Sequence, residues 1–437
     1  MTIAEVRLWG STIGAVAWDA AAQVARFEYD PQFRQSGIEL APLTMPLSSR
    51  VYAFTSLNRE TFHGLPGLLA DSLPDDFGNA LINAWLAREG RADRPLDPVE
   101  RLCYTGTRGM GALEYHPTLG PRASQVERID LAALVDLAGE ILAQRDQLSG
   151  SFAPLRRESS LQTILRVGTS AGGARAKAII AWNPETDEVR SGQVDAGSGF
   201  TYWLLKFDGV RGGAADRGSA LDDPVGYGRI EHAYHHMAVA AGITMSECRL
   251  LEENGRCHFM TRRFDRTPSG RKLHMQSLGA LEHLDYRQAG AHAYEQALLA
   301  IRRLGLPMDS LEEQFRRMAF NIVARNQDDH VKNIAFLMDR AGQWSLSPAF
   351  DVTYSYNPNG TWTRDHQMSL GGKRDGFTRE DLRACARTAS IKRGRADAIV
   401  EQVVAAVTRW PEFAAGSGIA EVEAERIRGA LRLQWRT

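Results

Sequence analysis

The segment ARNQDDHVKNIAFLM (324–338) places two adjacent carboxylates and a histidine before a lysine and an asparagine. Asp328 precedes Asn333 by five residues, and His330 lies between them. Protein kinases use this spacing in their catalytic loop, where the aspartate accepts the proton of a hydroxyl group and the asparagine holds Mg²⁺. The segment therefore indicates phosphoryl transfer from ATP, with His330 placed to steady the transferring phosphoryl group.

Two other interpretations of this segment stay open on these residues alone. Adjacent acids after a helix are commonly solvated loop residues. A set of two aspartates and a histidine is also found in divalent-metal hydrolases. The kinase interpretation predicts further features in the neighbouring elements and upstream in the chain.

A helix and a hairpin should position these groups. An apolar stripe predicts a helix before the segment, and Ser310 with Glu313 fits a capping box at its start. A strand, a glycine turn and a returning strand are predicted after it, in NIAFLMD (333–339), RAGQ (340–343) and WSLSP (344–348). A hairpin returns the chain to the end where it began, so Asp351 should lie near Asn333. An amide oxygen and a carboxylate are ligands that Mg²⁺ accepts.

Groups that bind the nucleotide are then expected upstream. RVGTSAGGARAKAII (166–180) has glycines between apolar stretches, which would let backbone NH groups approach phosphate oxygens. No GK[ST] ends it, so it is not a Walker loop. Lys206 in YWLLKFD is the candidate for the α- and β-phosphates, and Lys177 is a weaker one. Glu231 opens the next helix and is the candidate partner of that lysine.

Three histidines on that helix raise the question of a metal site. His232, His235 and His236 lie at helical neighbour spacings. The helix contains no HExxH motif, and the sequence identifies no third ligand for His232 and His236. We interpret the three histidines as surface or lobe-packing residues.

Composition sets the broad class of the protein. With 437 residues, the chain should form two or three domains. A net charge of −1 argues against binding nucleic acid by bulk electrostatics alone. The four cysteines form no CxxC pair, as is typical of reduced thiols in a cytosolic protein. We see no signal peptide and no apolar run long enough for a membrane span, so we expect a cytoplasmic protein without a membrane partner.

The order of the elements predicts an α+β fold with two lobes. Strand patterns dominate the first half, together with helices at 72–90, 128–147 and 229–242. After residues 262–267 the patterns become mostly helical. A cleft between a strand-rich and a helix-rich lobe is the expected place for the site.

Seven motifs, in order, resemble those of the HipA-family serine/threonine kinases. They are GTSAGGARAK, YWLLKF, IEHAYHHMA, RRFDR, NQDDHVKNIAFL, LSPAFDVTYS and MSLGGKRDGFTREDL. LPGLLADSLPDDFGNALI (65–82) is similar to the N-terminal subdomain of that family. The resemblance implies a two-lobed, protein-kinase-like fold. Its expected divisions are an N-terminal subdomain (1–118), an ATP-cradling lobe (119–264) and a helical lobe (265–437).

The resemblance also implies roles for individual residues. Asp328 would be the catalytic base, helped by His330, and Asn333 with Asp351 would bind Mg²⁺. Ser170 matches the serine that such kinases autophosphorylate, although a plain turn residue is the other interpretation. Nucleotide binding is expected at Gly168, Ser170, Ala171, Gly172, Gly173, Lys177, Lys206, Glu231, Arg262, Phe264 and Lys332.

A phosphate on Ser170 would repel the phosphates of ATP. It would add nearly two negative charges where the phosphates of ATP must bind. Repulsion should then expel the loop and inactivate the kinase.

Three residues depart from the family pattern. Arg262 stands where an acidic residue is common, but adenine contacts there are mostly made by the backbone. Ala176 occupies a position often held by proline, and Asp329 adds a second acid that could be mistaken for the base.

The resemblance implies the toxin of a toxin–antitoxin pair. Its substrate would be a translation component such as an aminoacyl-tRNA synthetase, and a small DNA-binding antitoxin of the HipB type would hold it, with DNA contacted mainly through that antitoxin. Two alternatives stay open: a small-molecule phosphotransferase on the same scaffold, and a non-catalytic corepressor subunit of an antitoxin–DNA complex.

Overall fold

A computed structural model describes residues 1–88, 90–91, 96–120, 129–143, 176–210, 226–267 and 269–434. Within these ranges the chain begins with an antiparallel sheet in the order β3-β2-β1-β4. Its strands are β1 (Ile3–Leu8), β2 (Ser11–Asp19), β3 (Val24–Tyr29) and β4 (Leu113–His116). Alternating apolar residues on one face of these strands are buried in a common core.

Helices connect β3 to β4. They are α1 (Arg59–Phe62), α2 (Gly67–Ala70), α3 (Asp76–Arg88) and α4 (Pro98–Thr105). The helix predicted at 72–90 is α3, which begins two residues after Pro74. Phe77 of α3 is buried in the core of the second sheet and not in that of the first. Helix α3 of the N-terminal part therefore packs against the second sheet, which carries the expected nucleotide-binding residues Lys177 and Lys206.

The second sheet has five antiparallel strands in the described residues, in the order β6-β5-β7-β9-β8. They are β5 (Lys177–Asn183), β6 (Glu188–Ser191), β7 (Thr201–Lys206), β8 (Cys248–Glu253) and β9 (Arg256–Arg262). Helix α5 (Leu131–Ala143) packs on this sheet, where Leu134 shares a core with Trp203. Apolar side chains along β5 are buried on both faces, which explains its unbroken hydrophobic pattern.

Helix α6 (Tyr227–Ala240) joins this sheet to the helical part of the chain. It follows β7 in sequence and packs against β8 and β9. Tyr234 and Met237 are buried in the core of the helical part. The hydroxyl of Tyr234 donates a 2.6 Å hydrogen bond to the carbonyl of Ala324. Contacts with the second sheet and with the helical part of the chain therefore fix the position of α6.

Helices dominate the chain after β9. They are α7 (Leu278–Leu281), α8 (Tyr294–Arg303), α9 (Met308–Val323), α10 (Arg379–Thr388), α11 (Arg393–Thr408), α12 (Trp410–Gly416) and α13 (Glu421–Ala430). Short strands accompany them: β10 (His274–Ser277), β11 (His292–Ala293), β12 (Ala335–Met338), β13 (Trp344–Leu346) and β14 (Met368–Ser369). The strand-rich part followed by a helical part confirms the predicted α+β class.

The predicted hairpin is present as β12 and β13. The strands are antiparallel, with Phe336 opposite Leu346 and Met338 opposite Trp344. The first strand is shorter than predicted, because Val331–Asn333 forms a 3₁₀ turn. The chain thus enters the hairpin from the turn that carries Asn333.

The predicted capping box on the helix before the segment is wrong. Helix α9 begins at Met308, and Pro307 is its N-cap residue, so Ser310 lies inside the first turn. Proline has the fixed φ that suits a helix start, and it terminates the preceding loop. Glu313 instead pairs with Arg317 at 2.8 Å and accepts a hydrogen bond from the backbone NH of Thr244.

In the part of the chain that the structure describes, no helix combines the length and the apolar character needed to cross a bilayer.

Candidate active site

Lys206 joins three distant segments of the chain. It ends β7, and its ammonium lies 2.6 Å from Glu231 Oε1 and 2.5 Å from Asp351 Oδ1. Burial alone would lower the pKa of Lys206, but the two carboxylates raise it above the ordinary lysine value. A permanently charged lysine therefore lies between the strand-rich and helical parts, held by Glu231 of α6 and by the residue that follows the hairpin.

Asp351 has an unusual backbone conformation. Its φ is +57°, in the left-handed region that residues other than glycine rarely adopt. Such conformations persist where the surrounding structure enforces them, often at functional sites. The side chain is 37% exposed, so its carboxylate faces both Lys206 and solvent. That position suits a group that must bind a metal ion arriving with a nucleotide.

Asp328 and Asn333 lie together in the loop between α9 and β12. The side-chain amide of Asn333 donates a 2.9 Å hydrogen bond to the backbone carbonyl of Asp328. The carboxylate of Asp328 accepts a 2.6 Å hydrogen bond from the indole NH of Trp362, and the side chain is 41% exposed. Asp328 is therefore an oriented carboxylate that a substrate hydroxyl can reach.

Asp329 has a different environment from its neighbour. It is buried, and its carboxylate accepts hydrogen bonds from the Tyr294 hydroxyl (2.5 Å), the His366 ring (2.7 Å) and the Gln367 backbone NH (2.7 Å). Burial would raise the pKa of Asp329, but His366 and the other donors hold it below its usual value. These bonds occupy both carboxylate oxygens, so Asp329 is a structural residue and not a candidate base. They also argue against the hydrolase interpretation, which needs Asp329 as a metal ligand.

We expect the Asp329→Asn substitution to lower the free energy of unfolding by about 3 kcal/mol. In the asparagine side chain, an NH₂ group replaces one carboxylate oxygen and faces a buried donor. At least one of the three donors would then lack an acceptor. Asp328→Asn should cost about 1 kcal/mol or less, because Asp328 is half-exposed. Urea unfolding of both variants measures the difference, and equal losses would contradict the distinction between the two aspartates.

His330 and Lys332 lie against one aromatic ring. His330 Nε2 is 3.8 Å from Asp328 Oδ1, and the imidazole packs on Tyr286 with centroids 5.3 Å apart. The ammonium of Lys332 lies 5.0 Å from the centre of the same ring. Tyr286 thus holds two cationic or polar side chains beside the candidate base.

One cavity lies between the loop of Asn333 and the segment that contains Asp351. His330 and Asn333 line it from the loop between α9 and β12, and Phe350 and Val352, the two neighbours of Asp351, line it from the other side. The hairpin therefore brings Asn333 and the two neighbours of Asp351 to a common space, and the sharing of one metal ion by Asn333 and Asp351 stays a prediction.

Lys177 lies beside Lys206 in the sheet. The two residues are cross-strand partners of β5 and β7. Lys177 Nζ is 3.3 Å from Asp75 Oδ2, and both side chains are almost fully buried. Burial lowers the pKa of Lys177 and raises the pKa of Asp75 to about 6. Asp75 comes from the N-terminal subdomain, which thereby contacts the strand that should carry phosphate-binding groups.

The expected hinge lies at the end of β9. The backbone NH of Arg262 donates to the carbonyl of Glu247, and its guanidinium lies 3.8 Å from the Glu247 carboxylate. The ring of Phe264 packs on Phe350 with centroids 5.5 Å apart. Phe264 thus contacts the residue before Asp351, whereas the side chain of Arg262 pairs with Glu247. The adenine contact itself stays a prediction.

The glycine-rich loop lies outside the described residues. This applies to Gly168, Ser170, Ala171, Gly172 and Gly173. The described chain resumes at Ala176, the departure from the family pattern, whose carbonyl accepts a hydrogen bond from the Phe207 backbone NH.

The sequence does not predict several residues that shape the site. Trp362, which orients Asp328, lies in a turn-rich stretch (NPNGTWTRD) without any periodicity. Tyr294 and His366 reach Asp329 from elements 35 and 37 residues away in sequence. The only feature of the sequence that marks Asp75 is its position as an acidic residue near the start of a helix. No local pattern reports such contacts.

Comparison with known proteins gives the family of the chain. The HipA N-terminal domain family matches residues 4–116, and the HipA-like C-terminal domain family matches residues 169–410. No curated protein sequence matches the chain significantly.

Two solved structures that match parts or most of the chain differ in how closely they match it. The HipA toxin–antitoxin structure of Shewanella oneidensis MR-1, a complex with HipB and operator DNA, is 17% identical, with a TM-score of 0.65 over 98% of this chain and 94% of that one. The Helicobacter pylori proinflammatory kinase CtkA is 11% identical, with a TM-score of 0.29 over 53% of this chain and 92% of that one, too low to support a conclusion. The Shewanella match confirms the two-lobed, HipA-like fold. Since the two family matches together span most of its length, the chain belongs to the HipA family.

Proposed function

We propose that this chain is an ATP- and Mg²⁺-dependent serine/threonine protein kinase. The main support is the position of Lys206, which bridges Glu231 of α6 and Asp351 after the hairpin. A lysine paired with a helix glutamate, beside a metal-binding aspartate, is the arrangement that protein kinases use for phosphoryl transfer. Asp328 and Asn333 lie in the loop between α9 and β12, joined by the hydrogen bond from the Asn333 amide to the Asp328 carbonyl.

The donor atoms fit Mg²⁺. Asn333 uses its NH₂ group to bond the Asp328 carbonyl, which leaves its amide oxygen directed elsewhere as a hard ligand. Asp351 adds a carboxylate that is accessible to solvent. One amide oxygen and one carboxylate match the preference of Mg²⁺ for few protein ligands and several phosphate or water oxygens.

Each residue then has a distinct task. Asp328 would accept the proton of the substrate hydroxyl, in the orientation that Trp362 imposes. Lys206 would hold phosphate oxygens, and Glu231 would hold Lys206 in place. ATP, if bound here, would supply the phosphoryl group, and Mg²⁺ held by Asn333 and Asp351 would neutralise the charge of the phosphates. His330 would stabilise negative charge beside the base.

We further propose that the kinase is the toxin of a toxin–antitoxin pair. The Shewanella structure contains HipA together with HipB and operator DNA, which supports a HipB-type antitoxin for this chain. A net charge of −1 favours DNA contact mainly through that antitoxin. The family resemblance suggests a protein of translation, such as an aminoacyl-tRNA synthetase, as the substrate. Autophosphorylation of Ser170 would inactivate the kinase by placing charge in the phosphate site.

Labelled ATP tests the protein-kinase proposal directly. We expect the purified chain to incorporate label from [γ-³²P]ATP with Mg²⁺, and the Ser170→Ala variant to lose nearly all of it. Thr169→Ala is the matched control, since it removes the adjacent hydroxyl and should keep the label. Mass spectrometry of the labelled peptide identifies the residue.

The alternatives predict other outcomes. Retention of full label in the Ser170→Ala variant would contradict the assigned serine. ATP consumption without protein label would favour a small-molecule phosphotransferase. Absence of any ATP-dependent rise in melting temperature with Mg²⁺ would favour a non-catalytic corepressor subunit.

A further inference from the structure

Two histidines and a cysteine meet on the side of α6 that faces β8. His232 and His236 are four residues apart on the helix, and Cys248 is the first residue of the strand. The Nε2 or Nδ1 atoms of the two rings and the Cys248 sulfur all lie within 4.8 Å of one another. The sequence identifies no third ligand for these histidines. In the fold, Cys248 of another element lies close enough to be that ligand.

The spacing of the two imidazole nitrogens is close to that of a tetrahedral metal site. The Nε2 atoms of His232 and His236 are 3.2 Å apart. Nitrogens bound to Zn²⁺ at about 2.0–2.1 Å with a tetrahedral angle would be about 3.3–3.4 Å apart. The imidazoles are therefore close to the positions they would have around a metal ion.

Ser417 completes the environment of His232. Its hydroxyl lies 2.9 Å from Nδ1 of His232. Metal-binding histidines usually donate their other NH group to such an acceptor, which directs the free nitrogen at the metal. This contact leaves Nε2 of His232 pointing toward His236. Because a hydrogen bond between the two rings gives a similar distance, the nearby Cys248 sulfur is the observation that favours a metal ion.

We propose that His232, His236 and Cys248 bind one divalent transition metal ion, with Zn²⁺ as the preferred ion and water at a fourth position. One thiolate and two imidazoles suit Zn²⁺, whereas Mg²⁺ requires oxygen ligands. The site is thus distinct in chemistry from the proposed Mg²⁺ site. On binding, the Cys248 sulfur forms a bond to the metal and its proton passes to solvent.

The metal would connect the helix that carries Glu231 to the sheet that carries Lys206. His232 immediately follows Glu231, and β8 pairs with β9, the neighbour of β7. A bond from α6 to β8 would therefore restrict movement of Glu231 relative to Lys206. This consequence rests on the proposed kinase function, whereas metal binding does not.

Co²⁺ and Zn²⁺ titrations test the site. The full chain, without affinity-tag histidines, reduced and stripped with chelator, should bind one equivalent of Zn²⁺ by elemental analysis. Co²⁺ should produce the near-ultraviolet thiolate band and the visible bands of a tetrahedral ion. Cys248→Ser should abolish the thiolate band, and His236→Gln should weaken binding by at least about 100-fold.

Two features keep the test decisive. His236 is exposed, so His236→Gln should fold normally even if Cys248→Ser does not. Cys257→Ser is the matched control, because Cys257 is a buried cysteine on the adjacent strand outside the cluster. Wild-type protein that binds no stoichiometric metal, or a Cys248→Ser variant that keeps the thiolate band, would overturn the proposal. Nucleotide is absent throughout, so this result is independent of kinase activity.

Discussion

Replacement of Asp328 by asparagine should reduce phosphoryl transfer by about 10²–10⁴-fold and leave ATP binding largely unchanged. Asp328 is half-exposed and oriented by Trp362, so the substitution removes a proton acceptor without opening the core. Label transfer from ATP measures the loss. The rise in melting temperature with ATP and Mg²⁺ measures binding.

Asp309→Asn is the control for this prediction. Asp309 is an exposed acid in the first turn of α9, and its variant should transfer phosphate as the wild type does. An Asp328→Asn variant that labels itself at the wild-type rate would remove the basis of the kinase assignment. A variant that loses ATP binding as well would instead place Asp328 among the nucleotide ligands.

The Asp351→Asn substitution should reduce transfer by at least about 10²–10³-fold through loss of the metal ligand. It should also remove the dependence of ATP-induced stabilisation on Mg²⁺, because the nucleotide would lose its metal-mediated attachment. Lys206 keeps Glu231 as a partner, so the protein should still fold. Thermal shift with ATP, with and without Mg²⁺, checks the result.

Asp187→Asn provides a closely matched control. Asp187 is also in the left-handed region, with φ +55°, and it lies in the exposed turn between β5 and β6. Asparagine also adopts the left-handed conformation, so both substitutions replace a carboxylate with an amide at a residue of the same backbone conformation. If Asp351→Asn kept its full response to Mg²⁺, the assignment of the metal ligand would be wrong.

The local elements could be predicted because their causes are local. Turn residues between two strand patterns define the hairpin of β12 and β13, and apolar periodicity defines helices such as α9. The hairpin in turn predicts that Asp351 returns toward Asn333; its neighbours Phe350 and Val352 line one cavity with Asn333, and a shared metal ion stays a prediction. The start of α9 was mispredicted because Pro307 began the helix before Ser310. A capping motif is informative only when no stronger start signal precedes it.

The ordered motifs of the sequence also indicate the family, and the two family matches confirm it. Their order along the chain indicates the HipA family, since several independent matches in sequence order rarely arise by chance. The contacts of individual residues are harder to predict from motifs. Lys177, a candidate ligand of phosphate, forms a buried ion pair with Asp75, and its binding of phosphate stays a prediction.

The sequence alone indicates the family, most of the helices and strands near the site, and the residue types available for chemistry. The folded chain adds that Asp329 is buried among donors while Asp328 is accessible, and that Cys248 lies beside His232 and His236. Periodicity reports which face of an element is buried, but not which distant side chain packs against it. Those partners are selected by the packing of the whole chain, where long-range contacts offset the entropy of closing long loops.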